Sequence, residues 1–171
     1  MSVLINDKID NLLKTTSRSF YPTLKYLPKK VRGQIGLLYL LARVADTIAD
    51  SKLGETDELL RLLRDYNEVA QGKSNDLPDF SNLAEIQENQ HEAELLRNAQ
   101  DVVDGLMVYS EDDKQRMLEC LDIIVGGQIL DLERFGTAKE GGILSALNNN
   151  LELDDYTFRV AGCVGVFWTK M

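Results

Sequence analysis

Between Gly33 and Asp50 the only charged side chains are Arg43, Asp46 and Asp50, and Tyr39 joins them at steps of four, three and four residues. Those steps put all four side chains on one stripe of a helix. Leu37, Leu38, Leu40, Leu41, Val44, Ala45 and Ile48 make the rest of that segment apolar nearly all round, the pattern of a helix surrounded by protein. The polar stripe is then expected to face an enclosed cavity. Two carboxylates at i,i+4 repel by about 0.2–0.5 kcal/mol on an exposed helix, and by more where water is excluded. A cation is therefore expected between Asp46 and Asp50. Mg²⁺ suits the pair, because it takes carboxylate oxygens together with water and substrate phosphate oxygens. Arg43, one turn back, is placed to hold the same phosphate by charge-assisted hydrogen bonds. The competing reading makes Asp46 and Asp50 the solvated end of a surface helix, which fits the apolar surroundings less well.

Further chemistry is carried by three other segments. The turn Thr16-Ser17-Arg18-Ser19-Phe20 offers hydroxyls, a guanidinium and backbone N–H groups able to hold phosphate oxygens; a plain helix cap is the alternative. Gly126 and Gly127 each cost roughly 1 kcal/mol relative to Ala inside a helix, which a close backbone neighbour or a ligand would justify. Gln128 and Asp131 follow them at i,i+3 on one face, and Glu133-Arg134 reads as a solvated pair. Tyr156 stands one turn before Val160-Ala161-Gly162-Cys163-Val164-Gly165, a small-residue run that suits either tight helix packing or an apolar groove for a hydrocarbon chain. His91 lies among Asn89, Gln90, Glu92 and Glu94 and reads as a surface residue. With a single histidine no Ser/His/Asp or Cys/His set can be assembled, and no G-x-G-x-x-G or P-loop pattern is present.

The elements that position these residues read as helices throughout. A chain of 171 residues fits one domain, and at roughly 150 residues a chain buries about 68–70% of its extended surface. The 19 Lys and Arg against 28 Asp and Glu give a net charge of -9, which removes the basic footprint of a nucleic-acid binder. With 44% hydrophobic residues, 27% charged and 3 prolines, disorder and Pro-rich scaffolds are excluded. Cys120 and Cys163 form no metal or disulfide pattern and are expected as buried free thiols. Met1 to Asp7 has no basic or long apolar leader and no run reaches the length of a membrane span, so a cytoplasmic chain is expected. Period-3.6 patterning predicts helices over about Asp7 to Thr15, Pro28 to Asp50, Asp57 to Ala70 capped by Thr56, and Glu111 to Phe135 capped by Ser110. Gly54 breaks the second of these, 71–79 reads as a loop, and interrupted helical spacing runs from Leu83 to Tyr109. A Gly141-Gly142 linker leads to a last helix capped by Asp154. Val160, Val164, Phe167 and Trp168 on that helix are expected without intramolecular cover, with self-association as the consequence.

The order of these motifs resembles the squalene/phytoene synthase family, all-α enzymes that join two prenyl diphosphates head to head. The matching pieces are Ser17-Arg18-Ser19-Phe20, Tyr39 and Arg43 leading into Asp46-Thr47-Ile48-Ala49-Asp50, Gly127-Gln128-Ile129-Leu130-Asp131-Leu132, and Tyr156 to Gly165. The resemblance covers about Thr16 to Trp168. It implies an all-α helical bundle of the isoprenoid synthase type with a central cavity. It further implies Mg²⁺ on Asp46 and Asp50, and diphosphate oxygens against Ser17, Arg18, Ser19, Tyr39 and Arg43. Gln128 and Asp131 belong to the substrate site by the same resemblance. Tyr156 is implied near the reacting carbons, and Phe20, Val160, Val164 and Gly165 along the prenyl channel. The implied reaction passes through a cyclopropyl diphosphate, and whether NADPH reduces the last cation differs among members. The family's second aspartate-rich motif is expected beyond Met171, so that this chain is the N-terminal part of the domain. Prenyl diphosphates are the expected partners, with room for peripheral membrane association. Two other readings compete: a non-catalytic member that binds a prenyl lipid or a partner, and an all-α Mg²⁺-dependent nucleotide pyrophosphohydrolase.

Overall fold

The computed structural model describes residues 6–51, 55–136 and 146–171; the Gly54 break and the Gly141-Gly142 linker lie outside them. Among the described residues there is no strand, and the expected all-α architecture is what the chain adopts. The order is α1 (Asp7–Ser17), α2 (Phe20–Leu24), α3 (Lys29–Ala49), α4 (Thr56–Ala70), α5 (Ser81–Glu85), α6 (Gln90–Arg97) and α7 (Ala99–Asp104). A 3₁₀ turn (Gly105–Val108) then leads to α8 (Glu111–Phe135), and α9 (Asn150–Thr157) continues through a π-helical segment (Phe158–Gly162) into α10 (Cys163–Lys170).

Helix α3 is the centre of the bundle. Pro28 sits at its N-cap, where no N–H is needed, and its carbonyl accepts from Val31 and Arg32. Ile35, Leu37, Leu38, Leu40, Leu41, Val44, Ala45 and Ile48 are buried and point in every direction from the axis, so α1, α4, α6, α7 and α8 all pack against this helix. Each fully buried leucine contributes about 1.5–3 kcal/mol. From α4, Tyr66 is buried completely and its hydroxyl donates to the Leu41 carbonyl at 2.9 Å, a bond that satisfies the one polar atom of the ring. The N-cap of α4 is Glu55, not Thr56, and no side chain closes it; Thr56 packs instead beside Gly136 at the end of α8. Ser110 caps α8 as the sequence predicts, accepting from the Asp113 amide at 3.3 Å.

The last helix begins earlier than predicted. Asn149 is its N-cap, accepting from the Glu152 amide at 3.0 Å, and Asp154 lies within the helix. Phe167 is 2% exposed and Val164 packs against the core, which corrects the expectation that both would lack cover. Val160 and Trp168 are 44% and 41% exposed. Lys170 pairs with Glu119 at 3.2 Å, and the free, buried Cys163 faces the free, buried Cys120 with the sulfurs 4.0 Å apart. These contacts lay the helix along α8. No helix among the described residues is long and apolar enough to cross a membrane.

The glycine pair of α8 is explained by this docking. A Cβ on Gly127 would lie 2.9 Å from the Arg159 Cβ and 3.6 Å from its carbonyl carbon, whereas one on Gly126 would meet only the Arg159 Nη1 at 3.2 Å. The last helix comes close enough at Arg159 to need a bare backbone at position 127. Gly127→Ala is expected to lose about 1–3 kcal/mol through overpacking. Gly126→Ala is expected to be neutral or to gain up to about 1 kcal/mol of helix propensity, because a guanidinium tip can move aside. Urea unfolding of the two variants checks the difference, and equal losses would contradict it.

Candidate functional site

The stripe read from the sequence lies on the last three turns of α3, and each charge on it is met differently. Arg43 donates from Nη2 to Glu92 Oε1 at 2.5 Å, its Nη1 is 3.9 Å from Asp46 Oδ2, and its Nε is buried without a partner. Gln128, on α8, donates its amide to Asp46 Oδ1, while its own Oε1 is buried and unpartnered. Asp50 is the exposed C-cap of α3, at the edge of a cleft of about 420 Å³ shared with Ser51, Asn89 and Glu92. Burial pushes the Asp46 carboxyl above its ordinary value; the charges of Asp50 and Glu92 push the same way, and Arg43 and Gln128 oppose them.

The turn before α2 closes the other end of the stripe. Phe20 packs on Tyr39 with ring centroids 5.0 Å apart, and the Tyr39 hydroxyl reaches the Thr16 carbonyl at 3.4 Å. Burial raises the Tyr39 hydroxyl, with Arg43 and Arg18 lowering it and Asp46 and Glu92 raising it. Arg18 is exposed with φ 44°, the one non-glycine residue of positive φ among the described residues, a conformation that turns the chain sharply between α1 and α2. Ser19 is exposed and makes no capping bond. Ser17 ends α1 and is buried, with its hydroxyl donating to the Leu13 carbonyl at 2.5 Å. The fold thus brings Arg18, Phe20, Tyr39, Arg43, Asp46 and Gln128 to one face.

Asp131 lies one turn beyond Gln128 on α8, near Tyr156, whose hydroxyl is raised first by burial and then by that carboxylate. On the same helix as Tyr156, Val160 is exposed, Val164 is partly buried, and a Cβ on Gly165 would meet nothing within 4 Å. Helix α8 thus places Gln128 against the stripe and Asp131 near Tyr156. Glu92 is the residue that the sequence reading passed over. His91 is exposed as expected, but Glu92 turns inward on the α6 face that carries Leu95 and Leu96, just before the buried Ala99 that opens α7. A charge at i relative to apolar i+3, i+4 and i+7 positions was the available signal.

Oxygen donors suited to a hard cation are present in part. Asp46 and Asp50 stand one turn apart, with the unpartnered Gln128 Oε1 beside Asp46. No group of three or more Asp, Glu, His or Cys side chains gathers around a point among the described residues. Such an incomplete set fits Mg²⁺, which keeps waters and takes ligand phosphate oxygens for the rest of its shell.

The all-α bundle, built round an enclosed helix with one carboxylate and guanidinium stripe, is consistent with an isoprenoid-synthase-type fold. A family model for squalene/phytoene synthase matches residues 13–171, and the chain belongs to that family, whose members are prenyltransferase-like proteins of isoprenoid biosynthesis. No curated protein sequence matches the chain significantly.

The raised carboxyl of Asp46 has a consequence for stability. The folded protein holds that proton more tightly than the unfolded chain, so this group favours folding fully below the ordinary value of 3.8 and the benefit is lost as pH rises through the folded value. At pH 7 the ionised carboxylate is a cost. Asp46→Asn keeps an acceptor for the Gln128 amide and removes that cost. Thermal unfolding should show a higher Tm for Asp46→Asn at pH 7 and a gain that shrinks as the pH falls to about 4. A Tm loss of the same size at both pH values would contradict the assignment.

Proposed function

We propose that the protein condenses two prenyl diphosphates, of the farnesyl or geranylgeranyl kind, head to head by way of a cyclopropyl diphosphate. The observation that carries the reading is the stripe Arg43, Asp46 and Asp50 at the end of an enclosed apolar helix, with the Gln128 amide already on Asp46, in a chain of this family. Asp46 and Asp50 are the residues that would hold Mg²⁺. When bound there, the metal supplies positive charge to a diphosphate leaving group.

The chain's own residues supply the rest. Arg43 carries a buried, unpaired Nε and a second arm, Nη1, turned toward Asp46, donors that diphosphate oxygens would satisfy. Arg18, Ser19 and Tyr39 contact the same anion from the turn and the next helical turn back. The Ser17 hydroxyl proton is committed to the Leu13 carbonyl, so Ser17 serves by shaping that turn. Phe20, Val160, Val164 and Gly165 line the hydrocarbon chain, and an apolar lining keeps water from an allylic cation. Tyr156, near Asp131, stands by the reacting carbons. The nucleotide pyrophosphohydrolase alternative calls for a denser acidic set than Asp46 and Asp50, and the described residues form none.

The test is incubation with farnesyl and geranylgeranyl diphosphate in Mg²⁺ and identification of the hydrocarbon product. A head-to-head product with release of diphosphate is expected. Asp46→Asn and Asp50→Asn should each cut turnover by about 10²–10³-fold, the usual cost of one lost electrostatic contact in a transition state, with unchanged circular dichroism. A folded double variant with near-normal rate would remove both residues from the site, and phosphate release from nucleoside triphosphates would favour the hydrolase.

A further inference from the structure

We infer that Glu92 is a positioning residue for Arg43, fixing the guanidinium in the orientation in which it meets a diphosphate; the inference rests on the diphosphate reading of the site. Glu92 reaches Arg43 from a different element, α6, 49 residues along the chain. Its carboxylate is itself held, because Asn89 Nδ2 donates to the same Oε1 at 3.1 Å. Asn89 in turn is the N-cap of α6, with its Oδ1 accepting from the His91 amide at 3.0 Å. A cap residue thus anchors the carboxylate at one end of a short chain of hydrogen bonds, and the guanidinium hangs from the other.

The rest of the Arg43 environment shows what that anchoring accomplishes. The fork of a guanidinium presents five N–H donors in fixed relative directions, so fixing one arm fixes all of them. Glu92 takes one arm at 2.5 Å. The Asp46 carboxylate, at 3.9 Å from Nη1, is too far for a direct hydrogen bond, and Nε has no partner at all. A buried, unpaired donor costs free energy until an acceptor arrives. With Glu92 on Nη2, the arm left to a ligand is the one beside Asp46. The side chain of Glu92 is 21% exposed, on the same helix as the buried Leu95 and Leu96, and its reach is fixed by the bonds from Arg43 and Asn89.

Reach and charge are separable at this position. Glu92→Gln keeps the length and an acceptor oxygen but removes the charge, whereas Glu92→Asp keeps the charge and falls one methylene short. Calorimetric titration with inorganic pyrophosphate in the presence of Mg²⁺ is the readout, made on the wild type, on both variants, and on Glu92→Asp in an Arg43→Ala background. Positioning predicts that Glu92→Asp weakens binding by about tenfold or more, as misplacing a binding group by about 1 Å does. It also predicts that Glu92→Gln stays within about threefold and that Glu92→Asp has no further effect once Arg43 is alanine. Equal losses in Asp and Gln, a loss in Gln alone, or an additive loss in the Arg43→Ala background would overturn the role of Glu92 and leave the diphosphate reading standing. A wild-type protein that does not bind pyrophosphate with Mg²⁺ would overturn both.

Discussion

A helix packed by protein on nearly every side can carry charge along one line only, and each charge on that line needs a partner supplied from elsewhere. Helix α3 is such a helix. Its buried positions from Ile35 to Ala49 leave a single stripe for Tyr39, Arg43, Asp46 and Asp50. The other elements are arranged around that demand. The last turn of α1 meets Tyr39, α6 brings Glu92 to Arg43, and α8 brings Gln128 to Asp46. Asp50, at the C-cap, is the most open to solvent, and the Asp46 side chain stays partly exposed.

The partners do not cancel the charge. Asp46 and Glu92 face one guanidinium, Asp50 stands one turn beyond Asp46, and the Asp46 carboxyl sits above its ordinary value first because of burial and then because of the charges of Asp50 and Glu92. An acidic excess of this kind favours a cation first. A cation there, together with the open donors of Arg43, then favours a phosphate-bearing ligand, so that neither half of the site is complete without the other. Such mutual dependence suits the proposed reaction, in which diphosphate leaves the site after its bond to carbon breaks.

How much of this was legible in the sequence follows from the distance over which each feature is decided. The stripe on α3 and the Ser110 cap were legible because helix periodicity and capping are settled within a few residues. The turn at Arg18 and the Gly127 to Asp131 segment were legible as polar and small-residue segments, and the family motifs tied them to one site. The Glu92 contact was not legible as such, since its partner is 49 residues away and its own surroundings, with His91 and Glu94, look like a solvated surface. Thr56 and Asp154 were read as caps from residue type alone; Glu55 and Asn149 hold those places because the backbone turns one residue earlier in the first case and five earlier in the second. The cover over Phe167 depends on how closely the last helix approaches α8. That approach is set by the absent side chain of Gly127 against Arg159, a fact about two helices that neither discloses alone.

The central claim is that Asp46 and Asp50 form half of a metal site whose other half is the diphosphate of the ligand. Isothermal calorimetry of Mg²⁺ binding, with and without a non-hydrolysable prenyl thiodiphosphate, measures that dependence directly. Weak Mg²⁺ binding by the protein alone, rising at least about tenfold with the analogue, is the predicted result. The same Mg²⁺ affinity in both titrations would contradict it.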